Sequence, residues 1–201
     1  MPDLSLEASI NGTTCGIDEV GRGPLVGPVT AACVHIPKNV QDLDFWQSVT
    51  DSKKLSAKKR KELAELIKQH CPYGIAESTV SEIDEINILQ ASLLAMQRAY
   101  EAMNHECDHA LIDGNKSPEL PCSTQTVIKG DTKILSIAAA SIIAKVHRDQ
   151  YLEELSQQYP HYGWERNAGY GTKEHLTALD THGITPHHRA SFAPIKKRLS
   201  A

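Results

Sequence analysis

A chain of 201 residues with a formal net charge of −4 has room for one domain with a full hydrophobic core and not for two large ones. That charge excludes a molecule-wide basic footprint, so contact with phosphate has to come from local basic clusters or from bound cations. No apolar stretch is long enough to span a bilayer, MPDLSLEASI has no basic segment followed by an apolar run, and the five cysteines form no C-x-x-C pair. The expectation is a soluble, cytoplasmic monomer with reduced thiols.

Along the chain, Thr13–Asp18 and Pro28–Ile36 have the β-branched, bounded character of strands, with a glycine-rich turn between them and a hairpin-like start as the result. Ser56 precedes a helical pattern through Gln69 with Leu63, Leu66 and Ile67 on one face, and Tyr73–Thr79 reads as a strand. Ser81 and Asp84 resemble a capping box ahead of a helix over Ile83–Asn104. His109–Asp113 and Gln125–Ile128 read as strands, the second running into Gly130-Asp131, and Ile134–Gln158 as a long helix that is rich in small residues at Ala138–Ser141. Strands and helices then follow a βββαβαβα-like order, which predicts an α/β domain with a mixed sheet flanked by helices over residues 1–158. Residues 159–201 carry scattered glycines and one helix near Lys173–His182, and are expected to pack on that domain as a small C-terminal helical segment.

The sequence CGIDEVGRGPLVG at Cys15–Gly27 sets Asp18 and Glu19 at a strand end against a glycine-flanked arginine, Gly21-Arg22-Gly23. Glycines permit a tight turn whose backbone N–H groups face an anion. Asp113 and Asp131 share the same context, each close to a strand end and to a glycine. Four carboxylates gathered at strand ends repel one another, and hard divalent cations relieve that repulsion by entering among the oxygens. Mg²⁺ or Mn²⁺ is therefore the expected cofactor, and metal-assisted attack on a phosphodiester the expected chemistry. His105, Cys107 and His109 alternate, but read as incidental polar residues in a helix-to-strand connection.

Taken in order, GIDEVGRGPLVGPV, DSKKLS, EIDEINILQASLLAM, LIDGN, KGD, SIAAASIIAKVHRD, GYGT and HHRASFAP resemble bacterial ribonuclease HII from about Cys15 to Pro194. The resemblance implies the ribonuclease H-like fold, with a mixed five-stranded sheet. It also implies an endoribonuclease that hydrolyses RNA in RNA–DNA hybrids and nicks 5′ of single ribonucleotides embedded in duplex DNA, leaving 3′-hydroxyl and 5′-phosphate ends by two-metal-ion catalysis. Carried onto matching positions, Asp18, Glu19, Asp113 and Asp131 are its metal-binding catalytic acids. Gly21, Arg22 and Gly23 are the turn that contacts the ribonucleotide 2′-hydroxyl, and Tyr170 is the tyrosine that packs on the neighbouring deoxyribose.

Lys53 and Lys54 are candidates for phosphate contacts, drawn from the basic cluster Lys53–Lys61. A second basic cluster comprises Arg189, Lys196, Lys197 and Arg198; His187, His188 and Arg189 read as structural, with Arg189 also a candidate to meet phosphate. His147 and Trp164 depart from the residues usual in that family. The rival readings are another ribonuclease H-like metal nuclease, which needs the carboxylates but not the turn or the tyrosine, and a non-catalytic phosphate-binding module. The module leaves three carboxylates unexplained and lacks the G-K-[ST] ending of a P-loop.

Overall fold

In the computed structural model, which describes residues 1–200, five strands form one mixed sheet in the order β3-β2-β1-β4-β5. The strands are β1 (Thr14–Val20), β2 (Val29–Val34), β3 (Tyr73–Ser78), β4 (His109–Asp113) and β5 (Ser123–Val127). β2 runs antiparallel to both β1 and β3, whereas β4 lies parallel to β1 and β5 parallel to β4. The helices are α1 (Ser5–Ser9), α2 (Ala57–His70), α3 (Val80–Met103), α4 (Leu135–Gln158), α5 (Trp164–Asn167), α6 (Lys173–His182) and α7 (Ala193–Leu199). No helix among the described residues is long and apolar enough to cross a membrane. The element order departs from the expected βββαβαβα: α2 separates β2 from β3, and β4 and β5 follow one another without a helix between. The parallel β4–β5 step is made instead by the irregular segment 114–122.

Alternation along the strands assigns the two faces of the sheet. Ala32 and Val34 join Leu63, Ala64 and Ile67 of α2 and the Ala138–Ala140 run of α4 in one core. Cys15, Ile17, Val29, Ala31 and Cys33 face Ala91, Ala95, Met96 and Ala99 of α3 on the other side. The small residues on α4 do what Ala-rich helices do best, which is to come close. A Cβ placed on Gly16 of β1 would lie 2.3 Å from the Ile137 backbone nitrogen, so helix and strand backbones are in direct contact there. The N-terminus of α4 has no cap of its own; Glu7 of α1 supplies one, accepting from the Ser136 backbone N–H at 3.2 Å and from its hydroxyl at 2.8 Å.

The start of α3 corrects the expected cap. Thr79, not Ser81, is the N-cap, in a reciprocal capping box with Glu82. Asp84, freed from capping, accepts from the backbone N–H groups of Ala190 and Ser191 at 2.9 and 2.8 Å and ties the C-terminal segment to α3. Asn87, at φ 68°, breaks α3 one turn later and recaps it through its own side chain, which accepts from Leu89 and Gln90.

The C-terminal segment builds its own core from Tyr162, Trp164, Leu179 and Ile195, closed against Leu152 and Leu155 of α4 and against Leu25 and Val26 of the β1–β2 loop. The fully buried Arg189 reaches into that same loop. Its Nε donates to Gly27 O at 2.9 Å, Nη1 to Arg22 O and Pro24 O at 3.0 and 2.8 Å, and Nη2 to Gly21 O and Pro28 O at 2.6 and 3.1 Å. All five guanidinium N–H groups are thereby matched to backbone carbonyls, which leaves Arg189 no donor for phosphate and makes its role structural.

A lysine has three donors for five acceptors. Arg189→Lys therefore strands at least two buried carbonyls, at a cost of about 3 kcal/mol, and lowers Tm by about 10 °C in calorimetry. A change smaller than about 2 °C would show that the loop does not depend on this guanidinium.

Candidate active site

The parallel pairing of β1 with β4 runs from Thr14↔His109 to Ile17↔Ile112. One step further in the same register brings Asp18 beside Asp113, so two carboxylates emerge together at the C-terminal edge of adjacent strands. Parallel pairing of β4 with β5 carries the chain on to the 3₁₀ turn Gly130–Thr132, which holds Asp131, and the Gly130 N–H donates to Asp113 Oδ1 at 2.6 Å. Asp18, Glu19, Asp113 and Asp131 thus line a single cleft of about 460 Å³, with Gly21, Arg22, Gly23, Lys53 and Tyr170 also on its wall.

Lys54 is exposed and does not reach this cleft. Most of the remaining basic cluster is spent locally: Lys59 pairs with Glu62, Lys61 with Glu153, and Arg60 donates to Ser52 O and Leu55 O. Three residues that sequence reasoning did not single out complete the wall, Ser52, Ser141 and Lys145. Ser141 and Lys145 stand four apart on α4 and so share a face. Ser52 and Ser141 hydroxyls are 3.0 Å apart, and the Ser141 hydroxyl, on the same wall as Asp18, works against the upward shift of that carboxyl. That spacing was visible in SIIAK, but only the fold shows that this face meets the carboxylates.

The charge balance in the cleft is unfavourable without a cation. Burial, then Glu19 and Asp113, hold the Asp18 carboxyl well above the usual carboxylate range. Burial pushes Glu19 up to about 7 although Arg22, 3.2 Å away, opposes the shift. Burial and Asp113 likewise raise Asp131. Glu19 Oε2 is buried and has no hydrogen-bond partner. A lone carboxylate oxygen among other carboxylates is a poor protein environment and a good one for a hard divalent cation, so the donor set fits Mg²⁺ or Mn²⁺.

The turn beside the acids is shaped from below and from the side. Gly21 has φ +93°, and a Cβ there would sit 2.2 Å from Nε of the buried Arg148, whose Nη2 donates to Val26 O at 3.0 Å. A Cβ on Gly23 would lie 3.1 Å from the Tyr170 ring, so the tyrosine, 52% exposed, stands against the turn with its outer face open. Its backbone is held by a buried relay. His175 Nδ1–H donates to Tyr170 O at 2.9 Å; its Nε2 accepts from Trp164 Nε1–H at 3.1 Å and faces His188 Nε2 at 3.0 Å. His188 Nδ1 accepts from the Thr185 N–H at 3.0 Å, which leaves its own proton on Nε2. Burial lowers both histidines, His188 to about 4, so both rings are neutral near pH 7. Trp164 and His188 thereby acquire structural roles, and His147 lies apart on the surface, 3.2 Å from Glu77.

A raised folded-state pKa binds a proton more tightly in the native state, so its stabilising effect is full at low pH and disappears as pH rises through the folded value. In chelator, Glu19→Gln should therefore gain Tm over the parent as pH goes from 4.5 through about 7, and added Mg²⁺ should stabilise the parent most above that window. A parent–variant gap that stays constant with pH would show that the Glu19 carboxyl is not raised by its buried position.

Comparison with known proteins accords with this geometry. A family model described as Ribonuclease HII matches residues 15–195. A ribonuclease HII of Paramagnetospirillum magneticum is 56% identical over 97% of this chain and 97% of its own, and one of Rhodospirillum rubrum is 56% identical over 100% and 93%. Among solved structures, the ribonuclease H2 of Pyrococcus horikoshii OT3 superposes with a TM-score of 0.77 over 94% of this chain and 97% of that one, at 24% identity, and so shares the fold. The chain belongs to the ribonuclease HII family of divalent-metal-dependent, type 2 ribonuclease H endonucleases, which act on RNA–DNA hybrids.

Proposed function

We propose that this chain cuts RNA–DNA hybrids and nicks 5′ of single ribonucleotides in duplex DNA, using Asp18, Glu19, Asp113 and Asp131 to hold two Mg²⁺ or Mn²⁺ ions. The observation that carries this reading is the convergence of the four acids, one with a buried and unpartnered oxygen, beside a glycine turn backed by an open tyrosine face. Bound ions of this kind lower the pKa of a water and neutralise charge on the attacked phosphate and on the departing 3′-oxygen. The products are a 3′-hydroxyl and a 5′-phosphate.

The chain's own groups act around that chemistry. Asp18 and Asp113 hold ligand oxygens on adjacent strand ends, where the sheet fixes their separation, and the Glu19 N–H orients Asp18 by donating to its Oδ1 at 2.7 Å. Arg22 neutralises Glu19 on one oxygen and leaves the other for a ligand. Lys53 lines the same wall and supplies positive charge for the phosphate flanking the cut, whereas Lys145 on that wall is paired with Asp149 at 2.5 Å. Backbone groups of Gly21–Gly23 bond the 2′-hydroxyl, which is both donor and acceptor, and the absence of side chains lets the sugar come close. Tyr170 packs its open face on the next sugar and leaves no room for a second hydroxyl there.

The deciding assay uses a duplex with one embedded ribonucleotide, all-DNA and all-RNA controls, and each metal in turn. Asp18→Asn and Asp113→Asn keep shape and remove ligand charge. Cleavage should fall roughly a thousandfold in each, on the scale of losing one charge-stabilising group from a site, with circular dichroism unchanged. Full turnover in either at saturating metal would remove the acids from the mechanism.

Recognition is tested separately. Tyr170→Ala should slow cleavage at the single ribonucleotide about tenfold, the scale of one lost aromatic contact, whereas Tyr170→Phe, which keeps the ring face, should stay near the parent. Equal activity of the two variants would take the tyrosine out of sugar reading.

A further inference from the structure

At the edge of the sheet opposite the carboxylates, a second set of ligand-type side chains meets. His35 follows β2, and His105 and Cys107 lie in the connection from α3 to β4. Because β2 runs antiparallel to β1 and β4 parallel to it, all three arrive at the N-terminal edge of β1. Four residues of strand separate Thr14 there from Asp18, or roughly 13 Å at the rise of an extended chain.

One ligand atom from each of His35, His105 and Cys107 lies within 4.8 Å of the other two. By sequence, His105, Cys107 and His109 read as incidental polar residues; in the structure His109 lies inside β4, and His35, some 70 positions earlier, joins His105 and Cys107 instead. His35 is already set up as a ligand. Its Nδ1 lies 2.7 Å from Thr14 O, a carbonyl that can only accept, so the proton sits on Nδ1 and the Nε2 lone pair is free. A backbone carbonyl fixing the tautomer in this way is the usual support behind a metal-bound imidazole.

His105 stacks on His35, with 4.6 Å between ring centres and 17° between planes, and is exposed on its loop. The Cys107 thiol is buried beside Cys15, and both the Cys15 contact and burial push it toward the protonated form. A cleft of about 1190 Å³ opens on His105 and Cys107, and Glu101, Glu106 and Asp108 on its wall favour entry of a cation.

We propose that His35, His105 and Cys107 form a binding site for a thiophilic divalent transition metal, Zn²⁺ by ligand type, distinct from the carboxylate centre. Two imidazoles and one thiolate are the donors that Zn²⁺ prefers over Mg²⁺, and three protein ligands leave a fourth position to water from the cleft. Ligand atoms around tetrahedral zinc stand roughly 3.5 Å apart, so the cluster has to contract by about 1 Å, and the exposed His105 is the member free to move. Binding replaces the Cys107 proton, which leaves to solvent as the Zn–S bond forms; no electron is transferred. The bound ion would tie the end of β2 to the segment entering β4.

The test uses the full chain in a phosphine reductant, with excess Mg²⁺ to fill the carboxylate centre and Co²⁺ as a spectroscopic stand-in for Zn²⁺. The expected result is a sulfur-to-cobalt charge-transfer band at one equivalent, abolished by Zn²⁺, retained in Asp18→Asn, and lost in both Cys107→Ser and His105→Ala. Zn²⁺ in excess Mg²⁺ should also raise the parent Tm by several degrees and leave that of His105→Ala unchanged, a variant whose exposed site spares the fold. No band in the parent, or a band that survives in either variant, overturns the assignment.

Discussion

The buried guanidinium of Arg189 is the constraint on which the glycine-rich turn beside the carboxylates depends. The loop from Gly21 to Pro28 presents five backbone carbonyls inward, and a segment of that kind is unstable unless every one finds a donor. One planar side chain supplies all five. Arg148 supports the same loop from α4, giving one hydrogen bond to Val26 and filling the space under Gly21. Two buried arginines so close together are costly in a core; the loop carbonyls satisfy every donor of Arg189, whereas Arg148 gives one bond to Val26 and keeps a buried Nη1 without a partner. The outer side of that loop, which lines the carboxylate cleft at Gly21–Gly23, is then free of structural duties.

On the catalytic side the logic is reversed. Asp18, Glu19, Asp113 and Asp131 are held where they destabilise one another, and the scaffold bears that strain through backbone order: two parallel strands, a 3₁₀ turn and an α4 that rests directly on β1 at Gly16. Hydrogen bonds from the Glu19 and Gly130 N–H groups hold Asp18 and Asp113 in place without cancelling their charge. A site assembled in this way is rigid before any ion arrives, which is what positioning of a phosphodiester requires.

The acids and the turn were legible because strand-end carboxylates beside glycines leave a mark in the sequence that needs no tertiary knowledge. The strands and the long helices were legible for a similar reason, their periodicity being local. What escaped the sequence was decided by distant partners. Asp84 looked like a capping residue because Ser81 stood three places before it, yet Thr79 with Glu82 makes the better cap and Asp84 is taken by Ala190 and Ser191. Arg189 sat in a basic tail that suggested phosphate, and only burial against carbonyls more than 160 positions away reveals its use. Lys145 and Ser141 carried no signal of their own until α4 was laid on β1.

The pairing of residues 21–28 with residue 189 also sets an order of events during synthesis. Its hydrogen bonds span 161 to 168 positions, among the longest closures the chain makes. Long closures form late because their entropy has to be met by structure already in place. The sheet, α3 and α4 are complete when residue 158 has emerged, so the carboxylates gather first and the Gly21–Pro28 loop sets only after Arg189 arrives. A ribosome-bound chain passing through that interval would hold its acid cluster before the neighbouring glycine turn is fixed, and the shape of the cleft wall would be the last feature the polypeptide acquires.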